Sequence, residues 1–141
     1  MAATRNAAAH WEGTLFEGSG RVSLESSGLG TFDVSWPART EEPNGKTSPE
    51  ELIAAAHSSC FNMALSNELA KGGHPATALD TTAAVTFVPG TGITGITLTV
   101  RGQVDGVTDD EFAAAAQAAG VGCPVSQALK GTTITVDAAL A

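Results

Sequence analysis

Residues 48–71 constrain this chain more than any other segment. The run LIAAAHSSCFNMALSNELAK, which ends at Lys71, is apolar around most of a helical circumference, so it predicts a buried helix rather than a surface one. Ser48-Pro49-Glu50-Glu51 ahead of it reads as a capping box, with Ser at the N-cap, Pro at the first helical position and Glu at the third. Gly72-Gly73 supplies the stop, and Lys71 sits favourably in the last turn of the dipole. A helix of this kind cannot stand alone in water, and the rest of the chain must cover it.

The covering segments read mostly as strands. Hydrophobic patterning predicts strands over 9–16 and 21–25, joined by the turn Glu17-Gly18-Ser19-Gly20. A third covers 31–36, with Phe32, Val34 and Trp36 on one face, and Pro37 stops it; Arg39 follows in a polar loop. Beyond the helix, strands are expected over 82–88 and 93–104, the second alternating Ile96, Leu98 and Val100 with Thr97, Thr99 and Arg101. Thr108-Asp-Asp-Glu111 is a second capping box, opening a helix over 112–119 that Gly120 and Gly122 break. A short helical turn over 125–130 and a last strand over 132–138 complete the chain. Strands, helix, strands, helix, strand without regular βαβ alternation predict an α+β fold, with antiparallel sheets packed around a long central helix. At 141 residues the expectation is a single domain, 1–141.

Composition narrows the partners. Fifteen acidic against seven basic residues give a formal charge of −8. No basic stripe is available for phosphates, so neither nucleic acid nor an anionic membrane surface is expected as a partner. No run approaches ~20 apolar residues and no targeting segment is visible, so the expected location is the cytoplasm. Thiols there stay reduced unless chemistry uses them.

The two cysteines and three histidines therefore carry the question. Cys60 lies mid-helix on an apolar stretch, where the plain reading is a small buried hydrophobe. Cys123 sits just before Pro124, where a short helix opens and unpaired N–H groups favour a thiolate; its plain reading is a turn residue filling a gap. Glu50 lies ten positions before Cys60, roughly 80° around and ~15 Å along an ideal helix, too far to touch it directly. Glu51 is assigned to the N-cap, leaving Glu50 the freer carboxylate. His57 shares a helix face with Cys60 and reads as a locally hydrogen-bonded residue rather than a base. A zinc site on Cys60, His57 and Cys123 has neither CxxC nor HxxxH spacing behind it. No GxSxG or GxGxxG is present, so neither a serine hydrolase nor a dinucleotide site is supported.

Three stretches carry a resemblance: His10-Trp-Glu-Gly13, GKTSPEELIAAAHSSCFNMALS from Gly45 to Ser66, and GCPVSQAL from Gly122 to Leu129. Together they resemble the osmotically inducible protein C (OsmC) family, closer to that branch than to its organic hydroperoxide resistance relatives. The resemblance implies an intertwined homodimer and a thiol-dependent peroxidase that needs no cofactor or metal. It implies Cys60 as the peroxidatic thiol and Cys123 as the resolving one. Glu50 matches the family glutamate, and Arg39 fits the family arginine, with Arg21 the competitor. The implied substrate is an organic hydroperoxide, with hydrogen peroxide used less efficiently, and an external dithiol as reductant. Leu52, Ile53, Phe61 and Met63 are candidates for an apolar substrate wall. The alternative is a non-catalytic, stress-related binding protein that keeps the fold.

Overall fold

The computed structural model describes residues 1–141 and divides into two compact units, Met1–Leu52 and Ile53–Ala141. The first carries a three-stranded antiparallel sheet of β1 (Ala8–Glu12), β2 (Ser19–Ser23) and β3 (Thr31–Val34), in that order. β1 is shorter than its pattern predicts because Gly13, at φ +90, turns the chain out of the sheet, and Thr14, Leu15 and Phe16 fall in the loop. The third strand also stops early. Ser35 accepts a hydrogen bond from the Ala38 N–H and caps a short helix, α1 (Trp36–Thr40), with Pro37 in its first turn. Pro37 thus starts a helix rather than ending in a loop, and Arg39 lies in its last turn.

The long helix α2 spans Pro49–Lys71. Ser48 Oγ accepts from the Glu51 N–H at 3.1 Å, as the cap predicts. The Glu51 carboxylate does not close the box; it accepts from the Thr47 hydroxyl at 2.5 Å. Gly73 ends the helix at φ +85, a conformation that costs glycine little.

The second unit holds a sheet ordered β4-β5-β6: β4 (Ala78–Val88), β5 (Gly92–Gln103) and β6 (Thr133–Leu140). β4 and β5 form an antiparallel hairpin. β6 instead pairs parallel to β5, so this sheet is mixed, not purely antiparallel as expected. A parallel return needs a crossover, and the helices α3 (Asp109–Gly122) and α4 (Pro124–Ala128) supply it. The Thr108 side chain and Glu111 form the reciprocal capping box that opens α3. Gly120 does not break α3. A Cβ there would meet Val136 Cγ2 at 2.6 Å, so the glycine lets the helix approach β6 closely.

Ile96, Leu98 and Val100 point inward from β5, as their alternation predicts. Leu98 and Val100 pack with Phe61, Leu65 and Leu69 of α2 and with Phe112, Ala116 and Ala119 of α3. Phe61 is therefore core and lines no substrate wall. The buried stripe of α2 in this unit is His57, Phe61, Leu65 and Leu69, one residue per turn. The opposite face, with Ala56, Ser59, Met63 and Ser66, is exposed, so the chain alone buries one stripe of this helix rather than its whole circumference. Phe112 is fully buried beneath Gly102. Phe112→Ala is expected to destabilise the fold by about 3–5 kcal/mol, read from the shift of the urea unfolding midpoint.

Candidate active site

Two groups of predicted site residues form, one in each unit. In the first, Arg39 Nε donates to both Glu50 oxygens, at 2.5 Å and 3.1 Å. Glu50 is 7% exposed, so its charge is held in a poorly hydrated place and needs this partner. The Arg39 guanidinium also stands 5.9 Å from the Trp36 ring centroid, a cation–π distance. One turn of α1 and the first turn of α2 thus fix the arginine through charge and stacking. Arg21 sits elsewhere, exposed on β2 between His10 and Asp33.

In the second unit, α2 and the junction of α3 with α4 bring Cys60 and Cys123 together, though more than sixty positions separate them in sequence. Both are free thiols; Cys60 is half-buried and Cys123 fully buried. Burial pushes the Cys60 thiol up, as do donating its proton toward the Cys123 sulfur and the charge of Cys123; the Val125 N–H acts in the opposite direction. Burial also acts to raise Cys123, but donors outweigh it: the Cys60 thiol, the N–H and hydroxyl of Ser126, and the Val125 N–H. The net result holds Cys123 below the ordinary thiol range. Cys123 is the N-cap residue of α4, yet its side chain accepts no capping hydrogen bond of normal geometry, so the N–H groups act as nearby dipoles. The pair can share one proton, held nearer Cys60.

Behind this pair lies a contact that the sequence alone does not reveal. His57 Nε2 and Ser126 Oγ are 2.7 Å apart, and both residues are buried. His57 is thus bonded to a residue 69 positions away rather than locally. Burial lowers its pKa, so the ring is neutral near pH 7. Ser126 belongs to the CPVS segment, and its place three residues after Cys123 is the signal that the sequence carries for it.

Residues 42–137 match the family model described as OsmC-like protein. The chain belongs to the OsmC-like family. It is 45% identical over 132 residues to Peroxiredoxin OsmC of Escherichia coli strain K12, covering 92% of this chain and 91% of that protein. The same figures hold for Peroxiredoxin OsmC of Shigella flexneri. Solved structures share the fold. The organic hydroperoxide resistance protein OsmC of Legionella pneumophila superposes with a TM-score of 0.74 at 24% identity, covering 98% of this chain and 99% of that one. OhrB of Bacillus subtilis gives 0.72 at 23% identity, covering 96% and 98%. In this OsmC-like chain the matched segment contains Glu50, Cys60 and Cys123, while Arg39 precedes it. The Arg39–Glu50 pair is therefore an observation of this structure, independent of that match.

Proposed function

We propose that this protein is a cysteine-based peroxidase that reduces organic hydroperoxides, and hydrogen peroxide less efficiently. The observation that carries the reading is the meeting of two reduced thiols of unequal access, Cys60 half-buried and Cys123 buried. The name of the curated relatives, peroxiredoxin, supports it at 45% identity. Thiolate character alone favours Cys123 as the attacking group, whereas access favours Cys60. Access supports Cys60 as the attacking thiol, because a sulfur that no peroxide reaches does not react whatever its charge.

The chemistry then runs in three balanced steps. The Cys60 thiolate attacks the terminal peroxide oxygen and the O–O bond breaks, leaving Cys60 sulfenic acid and an alkoxide that takes a solvent proton and departs as the alcohol, or as water from hydrogen peroxide. The Cys123 thiolate attacks the sulfenic sulfur, the S–S bond forms as the S–O bond breaks, and the departing oxygen takes a solvent proton and leaves as water. An external dithiol returns the disulfide to two thiols and is itself oxidised to a disulfide. The thiolate that attacks needs a cation, and the role we propose for Arg39, by its match to the family arginine, is that cation and the donor to the peroxide oxygens; a guanidinium held by a carboxylate, as Glu50 holds this one, is suited to the task. No cofactor or metal enters these steps.

The protein works as a homodimer in the cytoplasm, where dithiol reductants are available. The dimer accounts for the uncovered face of α2, on which Met63 is 72% exposed. The test is mass spectrometry of the reduced protein after one equivalent of cumene hydroperoxide. The expected product is a Cys60–Cys123 disulfide with release of one cumyl alcohol per chain. Two unchanged thiols would favour a binding protein that keeps the fold without the reaction.

A further inference from the structure

Ser126 has its oxygen in a buried contact with His57 and its hydroxyl available to the Cys123 sulfur. The direction of the first bond follows from counting protons. His57 Nδ1 is buried without a partner. A neutral ring carries one N–H, and an unpaired buried N–H is the rarer arrangement. The proton therefore sits on Nε2 and is donated to Ser126 Oγ, leaving Nδ1 as a bare acceptor. With its oxygen accepting from the histidine, the serine hydroxyl is free to donate in turn, and the Cys123 sulfur is the acceptor it acts on. The three residues come from α2, α4 and the residue that opens α4, and each is nine-tenths or more buried, so water does not compete for these bonds. The reaction steps above give His57 no part, although it lies three residues before Cys60.

We propose that His57 and Ser126 are positioning residues for the resolving step: His57 Nε2–H fixes the Ser126 hydroxyl as a donor to Cys123 Sγ, and this contact sets how fast Cys123 closes the disulfide on an oxidised Cys60. The inference rests on the peroxidase reading and deepens it. When Cys60 sulfenic acid forms, the Cys60 S–H that helped to hold negative charge on Cys123 is gone. The serine hydroxyl then becomes the side-chain donor that keeps Cys123 an anion for its attack. The titratable groups bearing on this sulfur are Cys60 from α2 and, through Ser126, His57. As the S–S bond forms, the negative charge passes from sulfur to the departing oxygen, which leaves as water with a solvent proton. Neither His57 nor Ser126 is consumed or oxidised.

The test separates the two half-reactions by rapid mixing of the reduced protein with one equivalent of cumene hydroperoxide. Sulfenic acid is trapped with dimedone and the disulfide is counted by mass spectrometry. Ser126→Ala should slow disulfide closure about tenfold more than it slows sulfenic acid formation, the size of one charge-assisted hydrogen bond. The pH midpoint of closure should move upward, and dimedone-trapped Cys60 should accumulate. His57→Phe should act in the same direction, and His57→Gln, which keeps a donor near the Nε2 position, should recover part of the rate. The double variant His57→Phe/Ser126→Ala should be no slower than the slower single variant, because both break one chain. Closure at the wild-type rate and with the wild-type pH midpoint in Ser126→Ala overturns the proposal. So does an equal slowing of both steps, which marks a merely structural role. Ser126→Ala removes one oxygen, so it keeps the test valid where His57→Phe does not fold. If the wild-type protein forms no disulfide at all, the peroxidase reading itself falls, and this inference falls with it.

Discussion

Cys60→Ser is expected to reduce hydroperoxide turnover to the rate of buffer while leaving the fold intact. The serine hydroxyl ionises far above any working pH and does not cleave an O–O bond at a useful rate, whereas a thiolate does. The substitution exchanges sulfur for oxygen at a half-buried site, so stability should change by no more than about 1 kcal/mol, as for most changes away from the core. Near-identical thermal unfolding would establish that the loss is chemical. The variant also weighs access against acidity. It keeps Cys123, the thiol that its surroundings hold lower, but removes the one that solvent reaches. Cumene hydroperoxide should leave Cys123 unmodified in Cys60→Ser, counted by iodoacetamide labelling after unfolding. Sulfenic or sulfinic acid on Cys123 would reverse the two roles.

The parts of this fold that were legible in the sequence are those set by local chemistry. The caps at Ser48 and Thr108 mark true helix starts, and the alternation through Ile96, Leu98 and Val100 marks the buried face of β5. What was not legible depends on approach between distant segments. Gly120 reads as a helix breaker because its intrinsic propensity is poor, but its role is to admit Val136. The parallel pairing of β6 is invisible in β6 itself, since strand direction is a property of the connection through α3 and α4. Ser35-Trp-Pro-Ala reads as the end of a strand because Val34 and Trp36 alternate with polar residues, yet a Ser cap with Pro in the first turn starts a helix there. The helix matters, since α1 presents Arg39 to Glu50. The two thiols stand out by their motifs, and the directions of their pKa shifts follow from burial of Cys60 and from the donors around Cys123. His57 reads as a local residue because spacing on one helix reveals only i+3 and i+4 neighbours. Its partner arrives from α4 through tertiary packing.

Cys123→Ser should separate one oxidation from many. The first equivalent of hydroperoxide should still be reduced, because Cys60 and its access are unchanged, but recycling by an external dithiol should fail. The sign of the accompanying pH effect follows from the pair. In the parent protein the Cys60 thiol is raised by burial, by donation toward Cys123 and by the negative charge that Cys123 carries. A neutral serine removes that charge, so the Cys60 pKa falls and its thiolate fraction at a given pH rises. The pH midpoint of the single-turnover oxidation should therefore move down, opposite to the shift expected for disulfide closure in Ser126→Ala. The product should be a persistent Cys60 sulfenic acid, trapped by dimedone at one per chain. Without a resolving thiol, a second equivalent of hydroperoxide should carry it to sulfinic acid, an irreversible step for most thiol peroxidases. Sustained turnover with dithiol at the parent rate would show that the reductant resolves Cys60 directly, and Cys123 would then lose its assigned role. An upward shift in the oxidation midpoint would instead mean that Cys123 donates to the Cys60 thiolate rather than accepting its proton, reversing the order in which the pair gives up its protons.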